Sequence, residues 1–179
     1  MAEVFLARHG RTAYNHERRF QGQLPVALDE VGRQQAQALA EQAGRHGFGA
    51  LWSSPLRRAR ETADAVSARI GLEPREDARL METDAGDWTD RTFVDVQAEA
   101  PAEFERFVAL DPTFAFPRGE SFAAQKLRVE AALADVREGP LPALVVCHGV
   151  VIRLAIYGLQ ANGSAPPRIE NATLVPLGD

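Results

Sequence analysis

Four apolar runs, Val4–Ala7, Ala50–Ser53, Ala143–Cys147 and Thr173–Leu177, are each too short to be a helix and read as strands. Amphipathic stretches lie between them, so strand and helix alternate along the chain, which implies an α/β sheet. The first three runs break off in polar punctuation at their carboxyl ends: Arg8-His9-Gly10, Ser53-Ser54-Pro55 and Cys147-His148-Gly149. In open α/β sheets ligands bind at those ends, where loops and helix N-termini gather.

The helical stretches have legible ends. One is expected to start at the N-cap Asp29, to carry Ala36, Leu39, Ala40 and Ala43 on one face, and to stop at Gly47. A second takes Ser54 as N-cap and Pro55 as its first residue, buries Leu56, Ala59, Ala63, Val66 and Ile70, and ends before Gly71. A third helical region, about 92–110, is interrupted near Pro101, and a fourth starts at the N-cap Ser121 and runs towards Arg137. Residues 150–159 are apolar nearly all round apart from Arg153, the pattern of a buried helix. No repeat or low-complexity tract divides the chain. Its 179 residues, 45% of them hydrophobic, suffice for one sizeable core, so a single domain over 1–179 is expected.

Charge narrows the partners. Asp and Glu number 25 against 20 Lys and Arg, a net charge of −5, which argues against a nucleic-acid partner and makes any anion site local. Lys126 is the sole lysine, which leaves 19 arginines. Genomic composition accounts for most of that bias, yet guanidinium suits planar recognition of phosphate or carboxylate. Cys147 is alone and cannot form an intrachain disulfide, which fits a reducing cytoplasm. The start, Met1 to Arg8, carries an early acid and too short an apolar run for a leader peptide, and no later run is long enough to span a membrane. Oligomeric state is not legible.

A lone histidine is usually a hydrogen-bonded structural residue; two at equivalent strand ends, His9 and His148, one preceded by Arg8, point to a site. Arg57, Arg58 and Arg60 lie near a helix N-terminus, where cations cost a few tenths of a kcal/mol unless an anion sits nearby. At least one is therefore expected to be functional, with Arg57 and Arg60 read as surface residues.

These segments resemble the histidine phosphatase superfamily, also called phosphoglycerate mutase-like. Arg8-His9-Gly10 matches its N-terminal loop, Ser54-Pro55-Leu56-Arg57-Arg58-Ala59 its Ser-x-Leu-x-Arg-Ala segment, and His148-Gly149 its second histidine. Agreement extends to Thr12, Asn15, Phe20-Gln21-Gly22, Leu80-Met81-Glu82, Gly86, Trp88, Gly119-Glu120-Ser121 and Asn171-Ala172-Thr173, nearly the whole chain. The resemblance implies a three-layer sandwich, a mostly parallel sheet with helices on both faces, and a small helical cap over about 83–120. It implies that His9 takes the phosphoryl group of a small phosphorylated substrate, that Arg8, Arg58 and His148 surround the phosphate, and that Glu82 is the general acid. Asn15, Gln21, Gly22 and Gly149 are expected around the substrate, with no metal and no cofactor. Nearby guanidiniums disfavour protonation of an imidazole nucleophile while stabilising phosphoryl oxygens, and burial, nearby carboxylates such as Asp84 and Asp87, or negative phosphate would favour a protonated Glu82.

Two departures fall in the cap. Gly86-Asp87-Trp88-Thr89-Asp90 replaces a common Gly-x-Trp-Glu-Gly, and Pro117-Arg118-Gly119-Glu120 replaces Pro-Gly-Gly-Glu. Arg91, Arg118, Trp88, Phe114 and Phe116 are candidates for a ring or second anion, with cap packing the plainer role for the aromatics. The spacing resembles alpha-ribazole phosphatase and related small-molecule phosphatases. Family mutases carry longer insertions, so hydrolysis is favoured over phosphoglycerate mutase-type transfer. Cys147 to Arg153 also fits Cys-x5-Arg of cysteine phosphatases, although its middle reads as helix. A non-catalytic phosphate-binding module is opposed by the complete residue set, and a metal site by His16 and His46, which lack ligand spacing, and by arginines beside His9.

Overall fold

A computed structural model describes residues 3–178; Met1, Ala2 and Asp179, which belong to the expected domain and, at the start, to the segment read against a leader, lie outside the described residues. One sheet contains β1 (Val4–Arg8), β2 (Ala50–Ser53), β3 (Pro74–Glu76), β4 (Ala143–Cys147) and β5 (Leu174–Leu177) in the order β3-β2-β4-β1-β5. All neighbours pair parallel except β5, which runs antiparallel to β1. Pro176 is tolerated there because β5 is an edge. The sequence did not announce β3: Pro-Arg-Glu has no apolar alternation, and its pairing with β2 makes it a strand.

Seven helices accompany the sheet among the described residues: α1 (Ala13–Glu17), α2 (Glu30–Ala43), α3 (Arg57–Ile70), α4 (Phe93–Glu99), α5 (Pro101–Ala109), α6 (Phe122–Arg137) and α7 (Gly149–Tyr157). Alternation along β4 divides the core. Ala143, Val145 and Cys147 pack with Val129, Leu133 and Val136 of α6 and Val151 and Ile152 of α7. Leu144 and Val146 pack with Leu39 and Ala43 of α2 and Ala59, Ala63 and Val66 of α3. Both faces are covered, so all five β4 residues are buried, the rule for parallel strands. The three-layer sandwich expected from the family is therefore present.

The cap has its own core of Trp88, Phe104, Phe107, Phe114 and Phe116, completed by Phe20, Phe122 and Leu154 from outside 83–120. Its two loops cross closely: a Cβ on Gly86 (φ +48) would lie 2.1 Å from the Pro117 carbonyl oxygen. Among the described residues no helix is long and apolar enough to cross a membrane.

Several helix ends follow expectation and two do not. Asp29 accepts from the Gly32 N–H at 2.7 Å and Ser121 from the Ala124 N–H at 3.1 Å. Such caps each contribute about 1 kcal/mol. The interruption before Pro101 separates α4 from α5, while α2 stops at Gly44 rather than Gly47. Ser54 is not the N-cap of α3, and Pro55 lies outside the helix. Leu56 takes that position and, having no polar atom, makes no side-chain cap; the Ser54 hydroxyl accepts from the Leu56 N–H at 3.3 Å and lies 2.7 Å from His148 Nε2. The unexpected α1 is one short turn built on a Thr12–Asn15 capping box, too brief to show periodicity.

Candidate active site

Register brings the two strand-end histidines together. Arg8 on β1 pairs with Cys147 on β4, so His9 and His148 emerge side by side with ring centroids 5.2 Å apart. The His9 backbone is clamped: its N–H donates to Cys147 O at 3.0 Å, and its carbonyl accepts from Asn171 Nδ2 at 2.9 Å. Gly10 lies backbone to backbone on the start of α2, where an added Cβ would sit 2.3 Å from Gly32 O. Only glycine permits that approach, which explains the His-Gly pair at this loop.

Hydrogen bonds set the tautomer of His9. Its Nδ1 lies 2.7 Å from Gly10 O, which can only accept, so Nδ1 carries the proton. Nε2 then presents its lone pair, and Arg58 Nε–H donates to it at 3.3 Å. Burial first, then the charges of Arg58 and Arg8, hold this imidazole well below its usual pKa of 6.5, so it is neutral and nucleophilic at neutral pH.

Helical phase selects Arg58 from its neighbours. It is 0% exposed, with Nη1 and Nη2 donating to Leu24 O at 3.0 Å and Gly22 O at 2.8 Å. Burial lowers its pKa to about 10, which still leaves it charged at neutral pH. Arg57 and Arg60 face outward and pair with Glu61 and Glu76, the surface role expected of them. Arg8 donates through Nη1 to Ile169 O, while its Nε is buried without a partner. A Cβ on Gly149 would be 3.4 Å from that Nε, so the glycine gives the guanidinium room. Burying a guanidinium costs several kcal/mol even after relaxation. Arg8 and Arg58 have only Glu82 among the acids lining the same cavity, an excess of positive charge that an anion would offset.

His148 is fully buried, with Nε2 held by Ser54 and Nδ1 unpartnered. Burial, then Arg58, His9 and Arg8, keep it neutral too. Glu82 enters from the other side. Its Oε1 accepts from the Thr83 N–H at 3.0 Å and Gln125 Nε2 at 3.2 Å, and its Oε2 from the Val150 N–H at 3.3 Å. Asp84 and Asp87, expected beside it, are exposed instead; backbone and amide donors surround the carboxyl. Arg128 fixes this segment by donating to the carbonyls of Arg79, Met81 and Glu82.

A cavity of about 300 Å³ joins these groups. Arg8, His9, Asn15, Gln21, Gly22, Arg58, Glu82 and Gly149 all line it, and His148 lies behind His9. Asn15 Oδ1 accepts from the Thr12 N–H and Asn171 Nδ2, which leaves the Asn15 amide nitrogen to donate. Towards the mouth the wall is aromatic, with Phe20, Phe93, Phe104, Phe107 and Phe116, and Arg18, Arg19, Arg153 and Arg168 also line it.

The structure does not bring Arg91 or Arg118 to this cavity. Arg91 pairs with Glu99 at 2.6 Å. Arg118 occupies a left-handed backbone position (φ +54), and its 84% exposed side chain donates to Asp87 at 2.6 Å. Neither departure from the family pattern thus enters the cavity: Arg118 joins a surface ion pair, and Asp90, where the family has glycine, accepts from the Tyr14 hydroxyl at 2.9 Å. Trp88 and Phe114 pack inside the cap, and only Phe116 of those three aromatics reaches the cavity wall. Cys147 also stays away: it is buried against α6 and α7, burial pushes its thiol pKa up, and residues 150–152 are helix rather than an anion-cradling loop. Gln125, Thr83 and Arg168 were missed because nothing local marks them; Arg153, the one charge in an apolar helix, carried a signal.

Comparison with known proteins agrees with this geometry. The family model of the histidine phosphatase superfamily (branch 1) matches residues 4–177. A probable phosphoglycerate mutase GpmB of Klebsiella pneumoniae is 34% identical over 97% of this chain and 83% of its own length. The glucosyl-3-phosphoglycerate phosphatase of Mycobacterium tuberculosis is 38% identical over 83% of this chain and 71% of its own. The solved structure of a mycobacterial glucosyl-3-phosphoglycerate phosphatase complexed with VO3 superposes with TM-score 0.86 at 35% identity, covering 97% and 91% of the two chains. The alpha-ribazole phosphatase of Shigella flexneri gives 0.78 at 29% identity, covering 96% and 88%. Matched over residues 4–177 in sequence and along nearly its whole length in fold, with the second histidine beside the first, the chain belongs to the histidine phosphatase superfamily, branch 1.

Proposed function

We propose that the protein hydrolyses a small phosphomonoester through a phosphohistidine at His9, as a single domain with a cap over about 83–120. One observation carries the reading. The neutral Nε2 of His9 is the ring atom left free by the Gly10 carbonyl, and it sits 3.3 Å from Arg58 Nε in a buried cavity whose cations outnumber its acids.

In the first step Nε2 attacks phosphorus, the P–O bond to the leaving group breaks, and protonated Glu82 delivers its proton to the departing oxygen. The imidazole then carries positive charge, which the Nδ1–H bond to Gly10 O stabilises. Arg8 Nε, Arg58, the Asn15 amide and His148 Nδ1 are the groups available to the phosphoryl oxygens, the charge stabilisation that phosphoryl transfer requires. In the second step Glu82 takes a proton from water, the water oxygen bonds to phosphorus and the N–P bond breaks, which regenerates His9 and releases phosphate. The lone buried Cys147 is compatible with the cytoplasmic setting expected from the sequence.

The test is a panel of sugar phosphates, nucleotides, ribazole phosphate, phosphoglycerates, phosphoserine and phosphopeptides, with acid-quenched and alkali-quenched reactions analysed for phosphoenzyme. Turnover with an acid-labile phosphoenzyme absent from His9→Ala is the expected result. An acid-stable adduct at another residue, or wild-type turnover by folded His9→Ala, overturns the proposal. Isomerisation of a phosphoglycerate without net phosphate release would instead establish the mutase alternative.

A further inference from the structure

The arginines divide into two populations. On the outer surface most are neutralised: Arg11, Arg33, Arg57, Arg60, Arg69, Arg79, Arg91, Arg106 and Arg118 all pair with acids, while Arg45, Arg75 and Arg137 are exposed to water, which screens their charge. The cavity is different. Among the described residues, only Arg19 of the six arginines that line it has an acidic partner within 4.0 Å, and Glu82 is the one acid in the wall. A chain of net charge −5 has therefore gathered buried guanidiniums without acidic partners, those of Arg8, Arg58 and Arg153, around one cavity. Arg8 and Arg58 serve the phosphoryl group; Arg153 and Arg168 are not used by that chemistry.

Arg153 has the marks of a built site. It is 7% exposed, it projects from α7, and its Nη2 is anchored by Val108 O at 2.7 Å and Pro166 O at 3.1 Å. Its Nε is buried with no partner, and its Nη1 has none among the described residues. The two carbonyls tie the cap to the C-terminal segment and fix the guanidinium plane, but neutral carbonyls do not cancel a buried charge. Arg168 lines the same cavity, its charge acts on both Arg8 and Arg153, and among the described residues it has no acid within 4.0 Å. The same wall carries Phe20, Phe93, Phe104, Phe107 and Phe116, which offer a leaving group apolar contact and no hydrogen bonds.

We propose that Arg153 and Arg168 form a carboxylate subsite at the mouth of the cavity, so that the preferred phosphomonoester carries a carboxylate on its leaving group. The inference rests on hydrolysis at His9. A carboxylate fits better than a second phosphate because one anchored guanidinium and one surface guanidinium supply few donors and the aromatic wall supplies none.

Phenyl phosphate, 3- and 4-carboxyphenyl phosphate and 4-carbamoylphenyl phosphate test it, since the carbamoyl compound keeps the shape of the carboxylate without its charge. The expected result is a kcat/KM for one of the carboxylates about tenfold or more above that for the carbamoyl ester. Arg168→Ala, an exposed change, should remove most of that preference through KM while phenyl phosphate turnover stays within about twofold. Arg153→Lys should also reduce it, and Arg153→Met should abolish it, each with folding checked by thermal melting. Equal kcat/KM for carboxylate and carbamoyl esters in the wild type, or a preference unmoved by Arg168→Ala and Arg153→Met, overturns the subsite while hydrolysis stands. No turnover of any ester by folded wild type overturns both the subsite and the reading on which it rests.

Discussion

His9 and His148 follow neighbouring parallel strands, each precedes a glycine, and each is buried, yet their hydrogen bonds differ. The Gly10 carbonyl forces the proton of His9 onto Nδ1 and directs the free Nε2 at Arg58. His148 instead holds its Nε2 against the Ser54 hydroxyl and turns an unpartnered Nδ1 inward. A carbonyl fixes one tautomer, whereas a hydroxyl can donate or accept and leaves His148 either form. Similar local sequence therefore leaves a lone pair free at one strand end, the basis for proposing His9 as nucleophile, and an unpartnered nitrogen at the other, the basis for proposing His148 as a phosphoryl contact; the difference lies in what each ring meets across the fold.

The sharpest way to break this comparison is to remove each ring. His9→Ala should lower kcat by at least about 10⁴-fold and eliminate the phosphoenzyme. His148→Ala should lower kcat by about 10²- to 10³-fold and still give a phosphoenzyme at His9. Equal losses, or a phosphoenzyme that survives His9→Ala, would invert the assignment. In kcat/KM, which reports phosphorylation of His9 and not hydrolysis of the phosphoenzyme, Glu82→Gln should cost about 10²- to 10³-fold with alkyl phosphates and much less with 4-nitrophenyl phosphate, whose leaving group needs no proton. A loss independent of the leaving group would remove Glu82 as the acid.

Smaller effects sharpen the picture. Both histidines have folded pKa values held below 6.5, so the unfolded chain binds more protons as pH falls. Their contribution is fully present above about pH 6.5 and is lost progressively below it. The Tm should therefore fall on acidification from pH 7 to 5, and His148→Asn should flatten that slope; an unchanged slope would show that these rings do not control it. Smallest of all, Cys147→Ala should keep kcat within about twofold, because a buried thiol of this kind is inert. Loss of turnover in a folded Cys147→Ala protein would revive the cysteine mechanism.

Particular residues show how far the sequence could be read. The core of β4 was legible from five apolar residues, and the α4–α5 break from Pro101, because both depend on interactions within a few residues. Ser54 illustrates the limit: next to Pro55 it has the local form of an N-cap, but the helix starts after Leu56 and the Ser54 hydroxyl meets a histidine 94 positions away. Arg118 shows the reverse, a cap residue proposed for substrate that turns outward to Asp87 because its left-handed backbone directs it there.

By itself the sequence determined the alternation of strands and helices, the glycine-backed histidines at two strand ends and the phase that turns Arg58 inward from Arg57 and Arg60. These follow from periods of about 2 and 3.6 residues and from the steric reach of a missing Cβ. Only the tertiary structure decided which nitrogen of His9 is free, that Gln125 and the Val150 N–H hold Glu82, and that Arg153 and Arg168 rather than Arg91 and Arg118 face the cavity. Hydrogen-bond partners and charge environments come from residues far apart in the chain, and burial makes those distant contacts dominate over anything the local sequence prefers.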